Sequence, residues 1–246
     1  MEKRVLVTGS SKGIGKAIAR RLGENGWKVA VHYGGDQAGA EETCSQLGDA
    51  LAGCYQADLG HQGAAIDLWE SACADGEVHA LVNNAGIYIP SSFLGADDEE
   101  FASVYQRTFA VNWHSPLMLM RAAVRSFDGY GGGKILNVAS RVGFKAEAGA
   151  AIYAASKAAL INLTRSLAVE LAPNNIGMFG IAPGWVETAM ARVGMEERSK
   201  EVLPTIPLGR MASAKDCAVA ASFLLSDDAS YLSGEVIDIN GASYFH

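Results

Sequence analysis

Cysteine, positive charge and long apolar runs are all scarce in this chain of 246 residues. Its four cysteines (Cys44, Cys54, Cys73 and Cys217) show no C-x-x-C spacing and no neighbouring histidine cluster. That argues against a metal centre or a disulfide framework and points to reduced thiols. No apolar run reaches the ~20 residues of a membrane-spanning helix. The apolar stretch near the N-terminus is too short for the core of a signal peptide, so a cytoplasmic protein is expected. Lysine and arginine together number 20 against 27 acidic residues, leaving a net charge of −7. Such a chain is a poor general binder of nucleic acid, whose affinity rests on positive charge.

What is present is glycine and alternation. There are 28 glycines, well above the usual ~7%. They follow no collagen-like period, so tight turns and close backbone approaches are the expectation. Apolar residues make up 49% and charged residues 19% of the chain, a globular balance that excludes disorder. Short apolar, β-branched runs are expected as strands at residues 4–7, 28–33, 52–57, 78–83, 134–139, 176–182 and 235–239. Helical patterns fall between them, at 14–24, 38–47, 63–74, 98–127, 151–171 and 214–225. Regular alternation of strand and helix predicts a parallel sheet covered on both faces, the α/β doubly wound (Rossmann-type) class. No linker or composition shift divides the chain, so 1–246 reads as one domain. Ligands of such sheets lie beyond the carboxyl ends of the strands, and residues just after each strand are the ones to inspect.

After the first strand comes Thr8-Gly9-Ser10-Ser11-Lys12-Gly13-Ile14-Gly15, and a helix follows. Glycines at this turn let backbone N–H groups approach a pyrophosphate, and the helix N-terminus adds about half a positive charge. The second strand ends His32-Tyr33-Gly34-Gly35 without a carboxylate at its tip. An acid there would suit the ribose 2′-hydroxyl of NAD; a basic residue suits the 2′-phosphate of NADP. Lys12 in the loop therefore favours NADP(H), with NAD(H) as the alternative. Asp36 either caps the next helix or reaches the ribose.

Tyr153 and Lys157 stand four residues apart on a helical segment and so share a face. An ammonium ~4 Å from a phenolate attracts it by about 4 kcal/mol at an effective dielectric near 20. That equals roughly three pKa units, enough to bring a phenol near neutrality. A second pair at this spacing, Tyr130 and Lys134, encloses three glycines and reads as a loop entering a strand.

With its TGxxxGxG loop, Asn83-Asn84-Ala85-Gly86, Tyr153-Ala154-Ala155-Ser156-Lys157 and Pro183-Gly184-Trp185-Val186-Glu187-Thr188, the chain resembles the short-chain dehydrogenase/reductase family. The resemblance spans essentially the whole chain. It implies a catalytic set of Asn112, Ser140, Tyr153 and Lys157. Tyr153 would be the general acid/base and Ser140 would bond the substrate oxygen. Lys157 would hold the nicotinamide ribose and perturb Tyr153, and Asn112 would position a water. Cofactor contacts would come from Gly9, Ser11, Lys12, Gly13, Ile14, Gly15 and Tyr33. Others would come from Asp58 at the adenine edge, with Leu59 beside it, and from Asn84, Ala85 and Gly86. Besides Tyr153 and Lys157, the nicotinamide end would meet Pro183, Gly184, Val186 and Thr188. Asn83 is equally readable as purely structural.

The resemblance further implies an oxidoreductase that exchanges hydride between nicotinamide and a carbonyl carbon, similar in general look to 3-oxoacyl-[acyl-carrier-protein] reductases. Sugar, steroid and small-alcohol dehydrogenases of the family stay open, as does a non-catalytic dinucleotide-binding protein. The substrate would be a small or carrier-bound carbonyl compound. Residues 189–210 look like a mobile substrate lid, with Trp185, Met190 and Met195 as candidate pocket lining. Arg141, Arg192 and Arg210 could meet an anionic substrate, although exposed arginines are more often merely solvated. A homotetramer is implied, packed through the helices at 98–127 and 151–171. Two departures stand out: Phe179 where the family carries a polar residue, and Asn240-Gly241-Ala242 in place of the usual acidic turn.

Overall fold

The computed structural model describes residues 2–188 and 200–246. Seven strands form one parallel sheet: β1 (Arg4–Val7), β2 (Lys28–Tyr33), β3 (Leu51–Gln56), β4 (Ala80–Asn83), β5 (Gly133–Val138), β6 (Ile176–Pro183) and β7 (Val236–Ile239). Their spatial order is β3-β2-β1-β4-β5-β6-β7, so the winding reverses between β1 and β4. The central strands are apolar on both faces, as burial by helices on each side requires. The edge strand β3 (Leu51-Ala52-Gly53-Cys54-Tyr55-Gln56) carries no fully buried residue.

On one face lie α1 (Gly13–Glu24), α2 (Gln37–Leu47) and α7 (Ala214–Leu224). They cover Val5, Val7, Val31, Leu136, Phe179 and Ile181. Phe179, the residue that departs from the family pattern, is fully buried here. It fills the core rather than making the polar contact a hydrophilic side chain would. On the other face α3 (Ala64–Ala74), α5 (Ser115–Tyr130) and α6 (Ala151–Leu171) cover Leu6, Leu81, Ile135 and Met178. Among the described residues, no helix is long and apolar enough to cross a membrane.

The helix expected over 98–127 is broken. α4 (Asp98–Phe109) passes into a wide π turn, Ala110–His114, before α5 begins. The cause is local. Pro116 has no N–H to offer the carbonyl of Asn112, and its ring would collide with that carbonyl in a regular α-helix. The turn widens instead, and Ser115 N–H bonds to Ala110 O. Asn112 rides on this widened turn and is driven into the interior, where it is fully buried.

A polar seam crosses the apolar interior. Asn83 and Asn137 are register partners on β4 and β5. Asn83 Nδ2 donates to Asn137 Oδ1 at 2.9 Å, and Asn137 Nδ2 donates to Thr164 Oγ1 at 2.9 Å. All three residues are buried, which assigns Asn83 to the structural reading. Asn137→Ala strands partners of this seam in the core, a loss of about 2–3 kcal/mol. In a chain of this size that lowers the melting temperature by about 5–10 °C, which differential scanning calorimetry checks.

Candidate functional site

The carboxyl ends of β1, β2, β4, β5 and β6 open into one crevice of about 860 Å³. The glycine loop forms one end. Gly9 has φ +63°, and a Cβ there would meet Ala85 Cα at 3.0 Å. A Cβ on Gly15 would meet Asn84 Nδ2 and Gly9 O at 2.3 Å. The loop thus lies flat against the turn after β4, and side chains are excluded by contact as well as by dihedral angle. Thr8 fixes the junction: its Oγ1 accepts from Asn84 N at 2.9 Å and Ala85 N at 3.0 Å. Asn84 Nδ2 donates back to Thr8 O at 2.8 Å. Gly9, Ser11, Lys12, Gly13 and Ile14 line the crevice, whereas Gly15 sits behind it and allows the close approach.

The helix starts differ in a way that matters. α2 is capped by Asp36, α4 by Asp97 and α7 by a capping box of Ser213 and Asp216. α1, like α3, α5 and α6, has no side-chain cap, and its first turn holds no acid. Its first N–H groups and the positive end of its dipole therefore face the crevice without a protein side-chain acceptor, a setting that suits an anion.

At the β2 end, Asp36 resolves into a cap. Its Oδ1 accepts from Gly39 N at 3.2 Å, and its other oxygen lies 3.4 Å from Lys12 Nζ. Those bonds hold its carboxyl below the usual range, the Gly39 amide foremost and Lys12 adding to it. Tyr33, expected among the cofactor contacts, does not line the crevice. Strand alternation turns its side chain onto the apolar cluster under α1 and α2, and His32, Gly34, Gly35 and Asp36 line the crevice instead. The strand-end reasoning missed His32, whose side chain bonds the main chain of both neighbouring strand ends. Asp58 and Leu59 line the crevice, with Asp58 accepting from Gly60 N at 2.8 Å.

At the opposite end lie Ser140, Tyr153 and Lys157, with Pro183, Gly184, Val186 and Thr188 forming the far wall. Ser140 lies two residues past β5 and accepts from Val142 N at 3.4 Å, and its hydroxyl bonds the Tyr153 phenol. Tyr88 packs edge-on against Tyr153, ring centroids 5.1 Å apart. Lys157 is buried, donates from Nζ to Val138 O at 2.9 Å and lies 5.8 Å from the Tyr153 ring centroid. Asn112 is gathered to the same place but behind the wall. Its Oδ1 accepts from Ile87 N at 2.8 Å and its Nδ2 donates to Ile87 O at 2.9 Å. A Cβ on Gly86 would sit 3.3 Å from Asn112 Oδ1 and 3.5 Å from Lys157 Nζ, so a side chain there would intrude between the two.

The electrostatics run against the simple pairing expected from the sequence. Burial pushes the Tyr153 phenol up to about 12, and the Ser140 hydrogen bond only partly opposes it. Burial also pulls the Lys157 ammonium down to about 8. Loss of hydration outweighs the attraction because the ammonium bonds a main-chain carbonyl rather than the phenol oxygen. The phenol therefore keeps its proton at neutral pH and is an acid in waiting.

Three other expectations are settled by packing. Arg141 is buried, not solvated: it pairs with Glu147 at 3.2 Å and lies 5.9 Å from the Trp185 ring centroid. The pair staples the loop that joins Ser140 to Tyr153. Arg210 pairs with Asp216 at 2.9 Å. Tyr130 ends α5, while Lys134 turns away to Ser226 O at 2.5 Å and Asp227 at 3.0 Å, so the second Tyr/Lys pair is dispersed. Residues 189–199 of the expected lid, including Met190, Arg192 and Met195, lie outside the described residues.

A family model described as enoyl-(acyl carrier protein) reductase matches residues 9–242. The 3-oxoacyl-[acyl-carrier-protein] reductase of Haemophilus influenzae is 35% identical over 242 residues, covering 98% of each chain. Among solved structures, a putative NAD(P) dependent gluconate 5-dehydrogenase from Beutenbergia cavernae with bound NADP superposes with a TM-score of 0.90. It is 33% identical, with 98% of this chain and 96% of that one covered. A 3-ketoacyl-(acyl-carrier-protein) reductase from Brucella melitensis complexed with NADH gives 0.89 at 32% identity, covering 99% and 98%.

The buried ammonium carries a testable cost. Replacing Lys157 with Met removes a charge held away from water at the loss of one hydrogen bond to Val138 O. The unliganded Lys157→Met protein is expected to melt a few degrees higher at neutral pH while turnover falls by about 10²-fold or more. Thermal melts and steady-state rates of the same preparation check both halves.

Proposed function

The chain belongs to the short-chain dehydrogenase/reductase family, and from that premise we propose an NADP(H)-dependent oxidoreductase. It interconverts a carbonyl and a secondary alcohol by hydride transfer and works as a reductase. One observation carries the reading. A single crevice joins the uncapped, glycine-lined start of α1 to the Ser140, Tyr153 and Lys157 side chains.

The residues fit a dinucleotide. Gly9 and Gly15 form a cradle that a Cβ would fill, and the first N–H groups of α1 suit a pyrophosphate. Lys12, more than half exposed at the loop, would meet a 2′-phosphate, drawing away from Asp36. Asp36 is spent on its helix cap, so it is poorly placed to select a free 2′-hydroxyl. The Beutenbergia structure with NADP supports this choice, and the Brucella complex with NADH supports the alternative. Asp58 would meet the adenine, Asn84–Gly86 the adjoining ribose, and Val186 and Thr188 the nicotinamide amide.

When bound, the nicotinamide supplies the hydride. The rest belongs to this chain. Ser140 donates a hydrogen bond to the carbonyl oxygen and fixes its direction. Tyr153, protonated at neutral pH, gives its proton to that oxygen as negative charge develops there. Lys157 lends positive charge near the phenol and would hold the nicotinamide ribose. Asn112 holds the Ile87 main chain and so shapes the wall facing Tyr153.

The names of the Haemophilus and Brucella relatives support a carrier-bound 3-oxoacyl substrate. The name of the Beutenbergia neighbour supports a polyol as the second reading, and the polar Arg141–Glu147 pair in the crevice wall favours it. A cytoplasmic homotetramer goes with either. Exposed Phe93 and Leu94 near α4, Tyr105 on α4 and Val169 on α6 would be covered by partner copies.

Tyr153→Phe keeps the ring and removes the proton. It is expected to lower kcat by about 10²–10⁴-fold with the dissociation constant for NADPH within about threefold of the parent. Stopped-flow oxidation of NADPH with a panel of ketones and 3-oxoacyl thioesters reads both; unchanged turnover refutes the assignment. Lys12→Ala is expected to weaken NADPH about tenfold and leave NADH unaffected, because only one of them carries the 2′-phosphate. Fluorescence titration with both dinucleotides measures the ratio.

A further inference from the structure

His32 is almost completely buried under the glycine loop, and no role assigned above uses it. Its ring bridges the ends of three strands. Nδ1 lies 3.0 Å from Gly9 N, just past β1, and Nε2 lies 3.0 Å from Ala57 O, just past β3. Gly9 N is a main-chain donor and Ala57 O a main-chain acceptor. Those partners leave one arrangement: Nδ1 accepts, Nε2 carries the proton, and the ring is neutral. The backbone of His32 adds to the clamp, since its N–H donates to Ser10 Oγ at 3.1 Å and its carbonyl accepts from Ser10 N at 2.9 Å.

We propose that His32 is a positioning residue whose neutral imidazole holds Gly9, and through it the glycine loop, in the shape that accepts a dinucleotide, and that protonation of the ring releases the loop. A second ring proton would sit on Nδ1 and point at the Gly9 N–H. Two donors would then face each other at 3.0 Å, and the Gly9 N–H would lose the acceptor it has in the neutral form. The loop must shift, and with it the α1 N–H groups that meet the pyrophosphate. The inference rests on the dinucleotide reading of the crevice.

The charged groups on the elements around the ring are engaged elsewhere. At the start of α1, Lys12 pairs with Asp36, and Lys16 pairs with Glu42 of α2 at 2.7 Å. Glu41 of α2 accepts from Gln37. After β3, Asp58 pairs with the exposed His61 at 3.4 Å. The ring itself has no carboxylate partner, as both of its nitrogens are taken by main chain. Burial accordingly lowers the His32 pKa below its usual value, with the Ala57 bond only partly opposing it. The sign follows. Between the ordinary histidine value of ~6.5 and the lowered one, the unfolded chain or released loop binds the proton and the closed loop does not. Loop closure is therefore complete above pH ~6.5 and weakens as pH falls from there toward the lowered pKa.

The test is binding of NADH and of NADPH by the full-length protein, by fluorescence titration between pH 8 and 5.5. NADH has no 2′-phosphate to titrate in that range, so it isolates the protein's contribution. The expected parent result is a dissociation constant for NADH that rises about tenfold or more toward pH 5.5. His32→Asn places an acceptor oxygen near the Nδ1 position and cannot be protonated; its NADH binding is expected to be flat with pH. His32→Phe, with no acceptor, is expected to be weak at every pH. Nitrogen-15 spectra of the cofactor-free parent provide a readout without variants: an Nε2–H tautomer at pH 7.5, and a Gly9 amide shift that titrates with the ring. Pronounced pH dependence retained in His32→Asn, or removed by His61→Gln instead, overturns the proposal. So does parent binding that is tight and flat with pH. Absence of binding to either dinucleotide at pH 7.5 is a different result, which defeats the dinucleotide reading first and this inference with it.

Discussion

Everything in the crevice is arranged around a helix start that lacks a cap. The first N–H groups of α1 have no side-chain acceptor and open on the crevice; α2, α4 and α7 cap theirs, and α3, α5 and α6 do not. Leaving a helix end open is costly unless something else satisfies it. The sequence around it removes every obstacle to an incoming anion. Glycines at 9, 13 and 15 strip away side chains, Thr8 and Asn84 tie the loop to the turn after β4, and His32 pins Gly9 from below. These contacts come from strands far apart in sequence, and they meet because the sheet reverses its winding between β1 and β4.

The opposite end of the crevice is governed by dehydration. The phenol and the ammonium stand one helical turn apart, yet burial moves the phenol up and the ammonium down. A protonated phenol hydrogen-bonded to Ser140 is suited to giving a proton, which is why reduction is the direction we propose. The supports are indirect. Asn112 reaches the site on the π turn that precedes Pro116, and the Arg141–Glu147 pair closes the loop between Ser140 and Tyr153.

Much of the architecture was legible in the chain itself. Parallel central strands are mostly apolar on both faces, so β1, β4, β5 and β6 stand out as short runs, and α6 stands out by length and period. The break between α4 and α5 was not read, because a helical period runs through residues 98–127 and only the single proline marks the fault. Among site residues, Gly9, Gly13, Gly86, Gly184, Asp58, Ser140, Tyr153 and Lys157 reach the crevice, while Gly15 lies behind it. Tyr33 does not, since neighbouring positions on a strand face opposite ways and the inward one is His32. The partner of Lys157 is one no spacing reveals: whether its ammonium meets the phenol or a main-chain carbonyl depends on how the end of β5 passes beneath α6. Arg141 looked like a surface charge because its partner Glu147 lies in a loop with no period to read.

The central claim is that one dinucleotide spans the crevice from the start of α1 to Tyr153. A crystal structure of the protein with NADP⁺ measures this directly. The account predicts the pyrophosphate against the amides that follow Lys12, the 2′-phosphate beside the Lys12 ammonium, and the nicotinamide ring adjoining Tyr153 and Lys157. A dinucleotide bound with its nicotinamide remote from Tyr153, or seated away from the glycine loop, would contradict it.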